Sequence, residues 1–207
     1  MTSKEMRCNQ LFMRNGFETS GKWELPVIKK QKLPSKHIEL ISIADTHMHD
    51  SVNNVKKGVH FFSDDYRFVG IYNNPERSWD KLKQYAFLLS PDYSVYAEMD
   101  IWRQLESVAH NRWMGAYWQN KGKIVCATLT WSTPSSYEFC FDGVEKGATV
   151  AIGMVGCKQS KTGFMRGYNV MLEKIQPEQI IVFGKPYPEM QGKLVVVDYL
   201  TSRKGAK

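Results

Sequence analysis

Cysteine and histidine are both scarce in this 207-residue chain, with four of the first and five of the second. The cysteines, Cys8, Cys126, Cys140 and Cys157, contain no C-x-x-C pair. That spacing excludes a zinc ribbon and gives no disulfide framework. Cys126 and Cys140 sit in apolar surroundings and read as buried, reduced thiols; the competing reading is a zinc site built from Cys126, Cys140 and Cys157. No apolar run approaches the ~18 residues of a membrane span, and residues 1–15 lack the apolar core of a secretory signal, so the expectation is a soluble, intracellular chain without membrane contact. There is no internal repeat, no low-complexity stretch and no heptad pattern. Solenoids, coiled coils and disordered polymers are thereby set aside.

What is present is an ordinary globular content, 43% apolar, 13% aromatic and 24% charged, on a length that suits one hydrophobic core. The net charge of +7 is unevenly placed. Residues 1–36 carry eight Lys or Arg against three Glu, and residues 158–207 carry nine basic against four acidic. Residues 58–157 are slightly acidic, with nine against eleven. Basic ends around an acidic middle suit contact with a polyanion, because each neutralised phosphate releases counterions. The plainer reading is a solubilising surface.

The pattern predicts an irregular basic arm over residues 1–36 and a single α/β domain over residues 37–207. In the arm, Asn15-Gly16 marks a turn, Leu25-Pro26 and Leu33-Pro34 block helix, and alternating Trp23, Leu25 and Val27 predict a segment pinned to the body. Beyond it, short apolar runs are predicted as strands at 59–62, 86–89, 124–129, 149–152, 180–183 and 194–197. Helices are predicted over 78–85, 101–120 and 164–175. Strands alternating with helices point to βαβ units and a mainly parallel sheet flanked by helices, either open or a partial barrel. In such sheets ligands bind at the carboxyl ends of the strands.

Those ends supply the candidate site. His60 lies in the first run and Asp64 and Asp65 follow it, Ser90 and Asp92 follow the second, Trp131 the third, and Asp142 lies beyond it. Converging carboxylates suit Mg²⁺ or Mn²⁺, with Asp64 and Asp92 as the candidate metal ligands and phosphodiester hydrolysis as the chemistry. Equally, Asp and Ser at strand ends start turns and cap helices. Asn111 and Arg112, on the long helix, are further pocket candidates, with Arg112 as a phosphate contact. The run Gly153-Met-Val-Gly156-Cys-Lys158-Gln-Ser160-Lys161 leads from a strand into a helix. It makes Gly153, Gly156, Lys158 and Lys161 candidates for a phosphate cradle, although it matches neither a Walker loop nor G-x-G-x-x-G. Asp45-Thr46-His47-Met48-His49-Asp50 matches a D-x-H-x-H metal motif of amidohydrolase barrels, but too few histidines follow to complete one. Trp102, Trp113, Tyr117 and Trp118 with Arg103 are candidate base-stacking groups, or helix core.

Several strings taken in order carry a resemblance: Arg14-Asn-Gly-Phe17, Gly58-Val-His60-Phe-Phe-Ser-Asp64-Asp65-Tyr66, Asn73-Asn74-Pro75 and Leu89-Ser90-Pro91-Asp92-Tyr93-Ser94. Then come Asn111-Arg112, Trp131, Phe139-Cys-Phe-Asp142-Gly143, Val150-Ala-Ile-Gly153 and Ile180-Ile-Val-Phe-Gly184. Over about residues 12–185 the chain resembles the domain of unknown function family 4417, found in phages, plasmids and other mobile elements of bacteria. The resemblance implies a setting rather than a reaction: a bacterial cytoplasm and a role in replication, repression or counter-defence. The resulting expectation is a nucleic-acid-associated phage or mobile-element protein with an acidic pocket. A metal-dependent phosphodiesterase or nuclease, and an inhibitor that binds a host defence or replication protein, are the alternatives.

Overall fold

A computed structural model describes residues 2–7, 16–35, 37–155 and 160–199. Seven strands form one sheet: β3 (Leu40–Ser42), β4 (Gly58–His60), β5 (Phe87–Leu89), β6 (Val125–Thr128), β7 (Thr149–Gly153), β8 (Gln179–Phe183) and β9 (Leu194–Val197). Their spatial order is their order in the sequence, and every pairing is parallel. Right-handed crossovers taken always in the same direction place successive connections on one face, so the sheet curls into a half-barrel. The sequence left an open sheet and a partial barrel as alternatives; the unbroken strand order is what selects the curled form.

Strand alternation separates the two faces. Val59, Leu88, Ala127, Val150, Ile152, Ile180 and Val182 point outward into two clusters shared with the helices. Leu40, Phe87, Leu89, Cys126, Ala151, Ile181, Phe183 and Val197 point inward and fill the concave side together with Ile38 and Phe62 from the flanking segments. Gly58 makes room there, since a Cβ on it would come within 2.2 Å of the Phe87 ring.

On the convex side, α3 (Val69–Asn73) and α4 (Pro75–Leu82) connect β4 to β5, α5 (Ile101–Asn120) connects β5 to β6, and α6 (Lys161–Ile175) connects β7 to β8. Short α1 (Ser3–Arg7) and α2 (Val52–Val55) precede them. Helix α4 begins three residues before the predicted start, at Pro75, with Asn74 Oδ1 accepting from the Arg77 N–H. Helix α5 ends at Asn120, and Gly122 (φ 83°) turns the chain away from it. Every residue of α5 from Asn111 to Trp118 is buried, while Ile101 in its first turn is exposed. The C-terminal half of this helix therefore sits inside the convex layer. Trp118 stacks there on Phe61 at 5.7 Å, and burying a side chain that large contributes on the order of 2–3 kcal/mol. Trp113 and Tyr117 are core as well; Trp102 is exposed beside Arg103.

The arm is less irregular than its prolines suggest. Strands β1 (Thr19–Ser20) and β2 (Leu25–Pro26) form a small hairpin. Leu25 and Ile28 anchor it, the latter over Gly115 of α5, whereas Trp23 points to solvent. The Asn15-Gly16 turn falls partly outside the described residues.

Candidate functional site

The carboxyl ends of the strands enclose a cavity of about 1070 Å³. Its floor is aromatic: Phe62 stacks on Phe183 at 4.9 Å, and the His60 ring lies 4.5 Å from Phe183. Gly153 opposes Phe62, and a Cβ there would press on that ring at 2.9 Å. One wall is Trp131, which packs on Phe164 at 5.1 Å and donates from Nε1 to the Phe164 carbonyl at 3.3 Å. Gly167 of α6 admits the indole, since a Cβ on it would lie 2.2 Å from the ring. Asp45, Asp64, Asp92, Glu98, Arg67 and Arg166 bring charge of both signs to the lining.

His60 is 2% exposed. Its Nδ1 accepts from the Phe62 N–H at 3.2 Å, while Nε2 is buried and has no partner among the described residues. Burial alone pushes its pKa down to about 3, so the imidazole is neutral throughout the physiological range. Ser63 Oγ, next along the same loop, is likewise buried and unpartnered. Asp92 accepts a hydrogen bond from Thr130 Oγ1. Burial, against that hydrogen bond and with some help from the nearby Asp65 charge, pushes its pKa up to about 7. Its carboxyl group is thus poised between proton donor and acceptor near neutrality.

Of the residues singled out from sequence, His60, Asp64, Asp92, Trp131 and Gly153 line this one cavity. Asp64 is exposed, 3.9 Å from Arg67. Asp65 turns away from the opening and holds the next loop, accepting from Ser94 N–H at 3.0 Å and Ser94 Oγ at 2.8 Å. Asp142 is not in the mouth; it lies on the convex side against Gly21 of the hairpin. Lys161 is exposed and ion-paired with Glu189 at 2.6 Å. Gly156, Lys158 and Cys157 fall outside the described residues.

Ser90, Asn111 and Arg112 form a different structure, a polar staple behind the sheet. Arg112 is 1% exposed, so the phosphate contact expected of it from sequence is replaced by internal bonds. It donates from Nε to the Asp142 carbonyl at 2.8 Å, from Nη2 to the Cys140 carbonyl at 2.6 Å, and from Nη1 to Asn111 Oδ1 at 2.6 Å and the Thr128 carbonyl at 3.3 Å. Asn111 Nδ2 reaches the Pro91 and Thr128 carbonyls at 2.7 and 3.2 Å. Ser90 Oγ donates to Asn111 Oδ1 at 2.9 Å and accepts from Thr128 N–H at 2.8 Å. Thr128 Oγ1 beside them has no partner among the described residues.

Among the described residues no three His, Cys, Asp or Glu side chains come close enough to hold a metal ion. His47 and His49 are exposed, and the adjoining Asp50 is tied up by Tyr85 Oη at 2.6 Å and Asn54 Nδ2 at 2.8 Å. Cys126 lies inside the half-barrel and Cys140 in the convex cluster, on opposite faces of the sheet. Burial pushes both thiols up, Cys140 to about 12. No helix among the described residues is long and apolar enough to cross a membrane.

Arg67 and Arg166 line the cavity as well, although sequence reasoning from carboxylates does not single them out. Both stand in segments that follow strand ends, three residues after Asp64 and in the second turn of α6, where the rule that found Asp64 and Asp92 would also have found them. Tyr96 and Tyr199 complete the lining in the same way.

The Gene 1 protein of Mycobacterium phage L5 is 34% identical over 178 residues, covering 84% of this chain and 77% of the relative. The Gene 1 protein of Mycobacterium phage D29 is 34% identical over 181 residues, covering 84% of this chain. The chain spans 65% of the D29 protein's length. No solved structure matches. Residues 17–200 match the domain of unknown function DUF4417, which takes in every strand of the half-barrel and every residue lining its mouth. The chain is a homologue of these phage Gene 1 proteins and belongs to the DUF4417 family.

Proposed function

We propose that this phage-protein homologue is associated with nucleic acid, in replication, repression or counter-defence, and that the mouth of the half-barrel is where it recognises its ligand. The observation that carries this reading is the cavity itself: aromatic faces, two guanidinium groups and carboxylates share one enclosure at the strand ends. Aromatic faces stack bases and guanidinium groups hold phosphates. The basic excess supports it with a refinement. Lys22 and Lys29 of the arm are paired with Glu138 and Glu18, while Lys4, Lys30 and Lys32 are exposed and suited to meet a phosphate backbone. Fluorescence anisotropy with labelled single-stranded and duplex DNA and RNA, titrated across salt, tests this. The expected slope of log affinity against log salt is about −0.7 to −0.9 per phosphate neutralised. A flat response removes the reading.

Asp64 and Asp92 lining the same cavity favours a second reading, metal-assisted phosphodiester cleavage. One or two carboxylates with a substrate phosphate suffice for Mg²⁺. Cleavage of DNA or RNA in Mg²⁺ or Mn²⁺ but not in EDTA would establish it.

A further inference from the structure

We propose that the half-barrel mouth holds a single nucleotide unit, with the His60 Nε2–H donating to an acceptor on the base and Arg67 and Arg166 taking its phosphate. This rests on the reading of the mouth as the ligand site and gives that ligand a size and a chemistry.

Three independent observations converge. The first is an unmet donor. Nδ1 of His60 accepts from the Phe62 N–H, so a neutral ring carries its proton on Nε2. That buried N–H has no acceptor among the described residues, a condition that costs free energy unless something else supplies one. Ser63 Oγ repeats the pattern one turn of loop away. The second is shape. The cavity matches the upper end of small-molecule pockets, roughly 300–1,000 Å³, and its faces are planar rings, Phe62, Phe183 and Trp131. The third is charge. Arg67 and Arg166 are exposed residues of the lining, on the β4 and β7 sides. A ligand that offers a flat ring with hydrogen-bond acceptors at one end and an anion at the other satisfies all three. A nucleotide does so; inorganic phosphate lacks the ring, and an aromatic hydrocarbon lacks both the acceptor and the charge.

The same unit is available free or at the end or in a flipped position of a strand, and the experiment separates these sources. Protein labelled with ¹⁵N-histidine is titrated with the nucleoside 5′-monophosphates, the matching nucleosides, inorganic phosphate and a short unstructured oligonucleotide, following the His60 Nε2–H resonance. The expected result is a saturable shift with at least one monophosphate or with the oligonucleotide, the first naming a free nucleotide and the second a strand-borne one. Phosphate alone should leave the resonance in place. Arg67→Ala with Arg166→Ala, both surface changes that spare the core, should weaken the nucleotide about tenfold or more and the nucleoside hardly at all. An oligonucleotide that binds with a salt-dependent slope while His60 stays unmoved would overturn the inference and leave nucleic-acid association intact. No shift with any probe, or the same shift with phosphate alone, would also overturn it.

Discussion

Two buried polar groups stand on opposite sides of the same sheet, and their contrast separates structure from function in this molecule. Behind the sheet, Ser90, Asn111 and Arg112 are saturated: each nitrogen of Arg112 is bonded, and Asn111 uses both its oxygen and its nitrogen. Inside the half-barrel, His60 Nε2 and Ser63 Oγ are buried with no partner among the described residues. The first cluster ties α5 to the ends of β5 and β6 and to the Cys140–Asp142 turn, so its energy is realised on folding. The second makes one bond on folding, from the Phe62 N–H to His60 Nδ1, and under the proposed reading its unmet groups are met by a ligand. Thr128 Oγ1 beside the staple and Trp118 Nε1 in the convex core are also unpartnered among the described residues, so what sets His60 and Ser63 apart is their place at the cavity.

The contrast breaks most visibly at Arg112. Burial pulls its pKa down to about 10, with the Cys140 and Asp142 groups resisting, so it remains charged at neutrality. Arg112→Met keeps the length of the stem and removes the guanidinium, stranding the Cys140 and Asp142 carbonyls. The expected loss is about 3–5 kcal/mol of stability by urea denaturation. A loss under about 1 kcal/mol would show that the staple is dispensable and the comparison unsound.

The strand order was not legible, but the strands and the long helix follow from short apolar runs and from the stretch between Asp100 and Gly122. Those signals are local, and local patterns are what a single sequence displays. The candidate site was legible to the extent that strand ends were: His60, Asp64, Asp92, Trp131 and Gly153 line the mouth. The errors share one cause. Arg112 is a charged residue on a helix, and nothing in a sequence of side chains reveals that backbone carbonyls from two distant segments will surround it. Asp142 stands beyond a third strand as Asp64 does beyond the first, yet the 3-10 turn at Pro134–Glu138 carries the chain across to the convex side before Asp142 is reached. Trp23 alternates with Leu25 on paper, but the hairpin turn between β1 and β2 faces it outward. Each miss depends on where a loop leads, a tertiary matter.

Asp92 gives a middle-sized effect with a definite sign. Its folded pKa, about 7, lies above the unfolded value near 4, so between those limits the folded state holds a proton that the unfolded chain releases. The stabilising contribution is complete below about pH 4 and is lost as pH rises to about 7. Asp92→Asn should therefore flatten that part of the stability profile and raise stability at pH 8 by roughly 1–3 kcal/mol. Thermal unfolding across pH reads this directly. An Asn variant less stable at pH 8 than the parent would mean that the carboxylate is already well solvated or paired.

The smallest effect belongs to His60, and its smallness is the point. In His60→Leu two terms oppose. Removing Nε2 relieves the burial of an unpartnered donor, while losing Nδ1 deprives the Phe62 N–H of its acceptor. The leucine still fills the space against Phe183. These should nearly cancel, for a net change within about 1 kcal/mol at pH 8. Below pH 6.5 the sign turns clear. The folded imidazole, with a pKa of about 3, resists a proton that the unfolded chain accepts, so the parent loses stability on acidification through that window and the leucine variant does not. The two profiles should diverge as pH falls, in favour of the variant. A His60→Leu protein that is several kcal/mol weaker at pH 8 would place this histidine with Arg112, among the groups that hold the fold, and would leave the mouth without the unmet donor on which its reading as a nucleotide site depends.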